Sequence, residues 1–357
     1  MTTSPSVILH SRPTVGSDEL QALTAVVGSG QLAQGPRVEE FEQGMAAMLG
    51  MAGGVAVSSG TAALEVALKA LGVAPGDEVI LPSYVCAAPW LAIVRVGAQP
   101  KIVDIEPDSY AIDPAEVKKA LSVRTRAIIV PHLFGLPADL TGLQSLGVPL
   151  IEDCAQTLGA IEAGRQVGTV GAVTVCSFYA TKLLCTGEGG MLLSHDKSLL
   201  ERARTLREYD EEPVLDDRAF NYKMTDLQAA IGISQLSRFR SFLERRSAIA
   251  AAYRTAFSST SLGLPVIPPG RSHVFYRFVV RLPREAGPVA SVIARLEQRG
   301  VQCRCPVFRP LHRYRDLAGC PVTEAAFARA LSLPIYPSMT DEEVARTIQV
   351  VAEELSQ

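Results

Sequence analysis

Three stretches of this chain carry side chains whose types and spacing could do chemistry. The first is Ser177-Phe178-Tyr179-Ala180-Thr181-Lys182, which closes an apolar run and is followed by Gly187-Glu188-Gly189-Gly190. A lysine just past a buried strand, among Leu183, Leu184 and Cys185, is partly desolvated, and desolvation favours the neutral, nucleophilic form of an amine. Most lysines instead finish on the surface, but the glycine cluster lets a ligand approach the backbone closely. The second stretch is Glu152-Asp153-Cys154-Ala155-Gln156, after the apolar run 148–151. An acid in that place either contacts a ligand or caps a helix. The third is Ser58-Ser59-Gly60-Thr61-Ala62-Ala63, which opens a helical pattern. Gly60 permits a tight turn, Thr61 offers a hydroxyl, and free first-turn N–H groups suit a phosphate. The same residues also make an ordinary N-cap.

The elements that must hold these side chains give them a common place. Short apolar runs at 54–57, 78–81, 101–104, 127–130, 148–152, 173–178 and 191–194 alternate with helix-length segments at 61–71, 114–121 and 140–146. This pattern predicts an α/β fold, with a large domain built on a mostly parallel seven-stranded sheet flanked by helices. Ligands sit beyond the carboxyl ends of the strands in such sheets, and all three stretches fall there. A phosphate cradle, an acid and a desolvated lysine at strand ends of one sheet are the parts that pyridoxal phosphate requires. The lysine forms the Schiff base, and the acid keeps the pyridine nitrogen protonated so that the ring stores electrons.

Residues 197–260 read as mainly helical, with an exposed charged loop at 208–217. A Pro-rich connection then leads to a strand-like stretch at 273–282 and helices at 288–299 and 341–355. We expect a large domain over 1–240 and a smaller C-terminal α+β domain over 241–357.

Composition narrows the function classes. The 357 residues hold 34 Lys+Arg against 37 Asp+Glu, a formal charge of −3, so no electrostatic footprint marks a nucleic-acid or membrane partner. At 48% hydrophobic and 20% charged, the chain has ample material for a core and is not disordered. Seven cysteines without a CxxC pair argue against a disulfide framework. Five scattered histidines supply no metal motif. The segment 42–65 is free of internal charge but broken by Gly50, Gly53, Gly54 and Gly60, whereas a membrane span needs about 20 predominantly apolar residues. With no signal-peptide pattern at the start, a cytoplasmic location is expected. Gly28 to Ala33 fits GxGxxA but follows a helical stretch, so the dinucleotide reading fails. No P-loop occurs.

Taken in order, the motifs resemble the DegT/DnrJ/EryC1/StrS family of pyridoxal-phosphate-dependent sugar aminotransferases, of the aspartate aminotransferase fold (fold type I). The likeness runs over nearly the whole chain. It includes Ser29-Gly30 to Gly35, Ser59 to Leu64, Gly76-Asp77-Glu78-Val79-Ile80 with Pro82-Ser83, and Glu152 to Gln156. It continues through Ser177 to Lys182, Gly187 to Gly190, Asn221-Tyr222-Lys223-Met224-Thr225, Pro310-Leu311-His312 and Leu331-Ser332-Leu333-Pro334. The resemblance implies that Lys182 bonds the cofactor and then shuttles the proton, and that Asp153 pairs with the pyridine nitrogen. Gln156 lies near the ring or its hydroxyl, where the family often has His. Thr61, Ala62 and Ser177, with Gly60 at the turn, hold the phosphate. Asn221 reaches the phosphate of a neighbouring subunit, which makes a homodimer with shared sites. The aromatic residue that usually stacks on the cofactor is replaced by Cys86, with Tyr84 or Trp90 as substitutes.

The resemblance implies transfer of an amino group from glutamate or glutamine to a keto-sugar, nucleotide-linked, or to a keto-cyclitol. A keto-deoxysugar dehydratase is a rival, but such relatives replace the lysine that Lys182 retains. A non-catalytic regulatory relative is a second rival, opposed by the full set Thr61, Asp153, Ser177 and Lys182. The run Arg304, Arg309, His312, Arg313, Arg315 is either a site for a nucleotide diphosphate or a solvated basic face. His132, after the run 127–130, reads as a structural histidine.

Overall fold

The structure, a computed structural model, describes residues 7–209, 216–317 and 319–355. Its eleven strands in chain order are β1 (Gly53–Val57), β2 (Glu78–Pro82), β3 (Gln99–Val103), β4 (Thr125–Pro131), β5 (Leu150–Asp153), β6 (Ile161–Glu162), β7 (Arg165–Gln166), β8 (Val173–Ser177), β9 (Gly190–Ser194), β10 (Phe278–Arg281) and β11 (Ala330–Leu333). Seven form one sheet in the order β1-β9-β8-β5-β4-β2-β3. Only β9 runs against its neighbours, β1 and β8; the remaining pairings are parallel. The seven apolar runs thus become the seven strands, within a few residues at each end. The central strands are apolar and buried along nearly their whole length, because helices cover both faces.

Sheet polarity decides where function can lie. The carboxyl ends of β1, β2, β4, β5 and β8 and the start of β9 share one edge, pinned by the pairings Pro131–Asp153, Asp153–Val175, Ser177–Gly190 and Val57–Gly190. Behind it lies the helix Gly60–Ala70, buried over most of its length in Ala, Leu and Val, as a helix enclosed by its own domain must be.

The 32-residue helix Asp226–Phe257 is opened by a capping box between Thr225 and Gln228 and spans about 48 Å. Phe239 packs in the core beneath the large sheet, and Ile249, Tyr253 and Phe257 in a second core with β10, β11 and the C-terminal helices. The expected division at residue 240 therefore falls inside one continuous helix. Ile8 also belongs to the second core, where its backbone pairs with Gly300 and Gln302.

One expected strand shrinks. Over 273–282 only Phe278–Arg281 is a strand, pairing antiparallel with β11. Phe275 sits at φ 49, which breaks the extended run, and the N–H groups of Val274 and Arg277 turn to the carbonyls of Gly135 and Phe134. Residues 210–215 of the expected acidic loop lie outside the described residues.

Asp104, just after β3, ties the C-terminal part to the large sheet. The helix Pro321–Arg329 has no side-chain cap of its own. The buried Asp104 carboxylate instead accepts the N–H groups of Val322 (2.8 Å) and Thr323 (2.9 Å) and the Thr323 hydroxyl (2.7 Å). Asp104→Ala is expected to cost roughly 2 kcal/mol of unfolding free energy, and Asp104→Asn less. Urea denaturation checks both; equal stability of all three proteins would show that the cap contributes nothing.

Candidate active site

A place suited to an anion is built by β1 and the helix that follows it. Ser59 Oγ accepts the Ala62 N–H (3.1 Å) and Ser59 O accepts the Ala63 N–H. The N–H groups of Gly60 and Thr61 are left without a partner within the helix, at its positive end. Two glycines bring other strand ends against this turn. A Cβ on Gly60 would lie 2.7 Å from Ser177 Cβ, and one on Gly190 would lie 2.3 Å from Ser59 O. Two free N–H groups and the Thr61 and Ser177 hydroxyls therefore share one small region. Ala62 is closer to spent, since its N–H is already capped.

Asp153 closes β5 beside this region. Its Oδ1 accepts the Ala155 N–H (3.0 Å). Burial pushes the Asp153 carboxyl above its ordinary range, against the pull of that bond and of the Lys182 and His132 charges. The half-buried Lys182 follows β8 through a turn in which its N–H bonds Tyr179 O. Cys86, after β2, keeps an exposed edge although protein crowds its thiol. Burial raises its thiol, the Lys182 charge lowers it and the Asp153 charge raises it again. Cys86, Asp153 and Lys182 thus share one electrostatic environment. Gln156 Oε1 accepts the Phe134 N–H (2.9 Å), leaving its amide NH2 to donate elsewhere.

Beneath the site, His132 and Glu152 are fully buried and satisfied. His132 Nδ1 accepts the Ala138 N–H, so the proton on Nε2 points to Glu152 Oε2 at 3.1 Å. Glu152 also accepts the N–H groups of Gly168, Val170 and Gly171, and these bonds, led by His132, hold its carboxyl low against burial. This is the structural histidine that the sequence suggests.

Other candidates stand apart. Asn221 is exposed, and its Oδ1 turns back to the Lys223 N–H; the neighbouring Tyr222 carbonyl holds the Ser58 N–H at 2.7 Å. Tyr84 is buried among Tyr110 and Phe134, and Trp90 lies under the Arg315 guanidinium, so of the three stacking candidates Cys86 alone is coupled to both Lys182 and Asp153. The basic run is not one face. Arg304 pairs with Glu297, His312 and Arg313 share Glu324, and Arg309 lies over Tyr314. A cavity of about 880 Å³ opens beside His312, Arg313 and Glu324.

Tyr276 is missed by the sequence reading, because nothing local in His273-Val274-Phe275-Tyr276 marks a partner so distant in the chain. Its ring lies 5.2 Å from Lys182 Nζ. The usable signal was Gly135, since a glycine after a buried strand often marks a close backbone approach; its φ is 106, and a Cβ there would lie 2.7 Å from Phe275 N and 2.8 Å from Tyr276 N.

The donor set fits pyridoxal phosphate. Free helix N–H groups, a half-buried carboxylate and an amine lie at one edge of the sheet, as the phosphate, the ring nitrogen and the aldehyde require. The family model of the DegT/DnrJ/EryC1/StrS aminotransferase family matches residues 13–352. The chain is 36% identical to the dTDP-3-amino-3,4,6-trideoxy-alpha-D-glucose transaminase of Streptomyces venezuelae, over 93% of this chain and 90% of that protein. It is 34% identical to the spore coat polysaccharide biosynthesis protein SpsC of Bacillus subtilis, over 96% and 95%. The crystal structure of the aminotransferase TlmJ from Streptoalloteichus hindustanus superposes with a TM-score of 0.92 at 34% identity, covering 98% of this chain and 99% of that one.

Gly60→Ala tests the cradle. The added Cβ pushes Ser177 away, and cofactor affinity is expected to fall about tenfold or more with the fold retained. Equilibrium dialysis against pyridoxal phosphate measures it; unchanged affinity would place the phosphate elsewhere.

Proposed function

The chain belongs to the DegT/DnrJ/EryC1/StrS aminotransferase family and is a pyridoxal-phosphate-dependent aminotransferase; we propose that its acceptor is a nucleotide-linked keto-sugar and its donor glutamate or glutamine. The convergence of Lys182, Asp153 and the Gly60–Ser177 cradle at one sheet edge carries the assignment of the site. The dTDP-amino-sugar transaminase relative supports the acceptor class. A keto-cyclitol is the alternative acceptor. The intact Lys182 opposes the dehydratase reading, and the complete donor set opposes a non-catalytic one.

Pyridoxal phosphate, when bound, supplies an aldehyde that takes up the amino group and a ring that stores the electron pair left when a proton departs. The chain's residues do the rest. The Gly60 and Thr61 N–H groups, with the Thr61 and Ser177 hydroxyls, would bind the phosphate. Asp153 would hold a protonated ring nitrogen at its free oxygen, the positive ring offsetting the burial that raises its carboxyl. Lys182 would hold the cofactor at its aldehyde carbon and, when free, would take up the proton from the donor's Cα in one half of the reaction and return one in the other. Gln156, held by Phe134, would donate from its amide to the ring hydroxyl. Cys86 would cover one ring face with a smaller group than an aromatic one.

The active unit in this reading is a homodimer in which Asn221 completes the partner's cradle. Its exposure at the end of β1, with no bond to the other candidates, supports that role. No helix among the described residues is long and apolar enough to cross a membrane, and all seven cysteines are unpaired. Unpaired thiols support a cytoplasmic location.

Wild-type protein is expected to be yellow and to bleach with the amino donor, whereas Lys182→Ala stays colourless and loses turnover by about 1,000-fold or more. A panel of keto-sugar nucleotides and inososes, scored by donor consumption, selects the acceptor. Turnover of inososes alone would overturn the nucleotide-sugar reading. Sharing is tested by co-expressing Lys182→Ala with Asn221→Ala. Mixed dimers contain one intact site and should regain activity that neither variant has alone; no recovery would place Asn221 in its own subunit's site or in none.

A further inference from the structure

Tyr276 has no part in the chemistry described above, yet its ring is the group over which the Lys182 amine lies. The surroundings of that ring are built with care for its position. Its backbone is pinned from one side by the loop after β4, where Val274 N–H bonds Gly135 O (2.9 Å) and Arg277 N–H bonds Phe134 O (3.1 Å). From the other side the buried Arg246 donates to the carbonyls of Phe275 (3.2 Å), Tyr276 (3.1 Å) and Ile335 (3.1 Å). Phe134 and Phe275, at the two edges of this junction, both hold positive φ, 60 and 49, a conformation that costs a bulky residue energy and persists only where neighbours enforce it.

Three cations face the ring so placed: Lys182 Nζ at 5.2 Å, the Arg277 guanidinium at 5.2 Å and that of Arg246 at 5.9 Å from the ring centroid. Burial alone would raise the phenol, but Lys182, Arg277, a bond from Thr181 and Arg246 bring it down to about 8. The two arginines are held elsewhere, Arg246 by its three carbonyls and Arg277 by His10. Of the three, Lys182 is the one with a reason to leave, because its amine must bond the cofactor and be released in each half of the reaction.

An amine at the end of four methylenes carries roughly 2 kcal/mol of rotamer entropy, and a released Lys182 would otherwise wander. An aromatic face attracts an ammonium group by about 0.5–2 kcal/mol, enough to offset much of that cost. We propose that Tyr276 is a positioning residue whose ring face seats the protonated Lys182 amine whenever it is not joined to the cofactor, keeping it within reach until it gives up that proton and reacts. The inference rests on Lys182 being the cofactor lysine. It assigns to the ring, not the hydroxyl, the task of keeping the amine within reach.

The test uses the full chain freed of cofactor and follows the rise of visible absorbance after pyridoxal phosphate is added. Tyr276→Phe keeps a ring and is expected to stay within about twofold of wild type, whereas Tyr276→Leu slows the rise about tenfold. In the holoenzyme the Leu variant lowers kcat and leaves the donor KM unchanged. Phenylalanines of increasing ring fluorination at 276 preserve size while draining the ring's negative face, so the rate should fall stepwise with fluorine count. A Leu variant as fast as wild type, a Phe variant as slow as Leu, or rates indifferent to fluorination would overturn the proposal. Wild-type protein that gains no absorbance would overturn the cofactor-lysine reading as well.

Discussion

The architecture depends on one close approach of backbone to backbone. The first residue of β9 touches the turn that opens the helix Gly60–Ala70, so near that a single Cβ on Gly190 would fall 2.3 Å from Ser59 O. Through this contact the one antiparallel strand of the sheet is slotted between β1 and β8, and Ser177 is brought against the helix N-terminus. A larger residue at 60 or 190 would force those elements apart, since its Cβ would fall 2.7 Å from Ser177 Cβ or 2.3 Å from Ser59 O, and the donors that could surround an anion would no longer converge.

Around that contact the site is assembled from both parts of the chain. The large sheet presents Asp153, Cys86, Gln156 and Lys182 along one edge. The C-terminal part reaches Lys182 through the strained junction of Phe134-Gly135 with Phe275-Tyr276. The long helix Asp226–Phe257 links the two cores, and Arg246 in its second half holds the junction from beneath. Strain and buried charge sit together where the two parts meet, as they commonly do near functional sites.

Much of this was legible in the residues. Continuous Val/Ile/Leu runs located every strand of the large sheet, because a strand buried on both faces leaves a signature independent of its partners. Lys182, Asp153 and Gly60 were legible for a related reason: each follows such a run, and sheet polarity brings those ends together. The strand expected over 273–282 forms only at Phe278–Arg281, since alternation cannot reveal that Phe275 takes a positive φ to meet Gly135. Tyr276 was invisible because its significance lies in a contact with Lys182 across the fold. The basic run 304–315 looked like one surface because sequence does not show Glu297 and Glu324 folding back onto it.

The central claim is that Lys182, seated at this edge, bonds the cofactor. Reduction of the wild-type holoenzyme with borohydride, followed by peptide mass mapping, tests it most directly. The account predicts one pyridoxyl group per chain, on Lys182. A pyridoxyl group on any other lysine, or none on a protein that binds the cofactor, would contradict it.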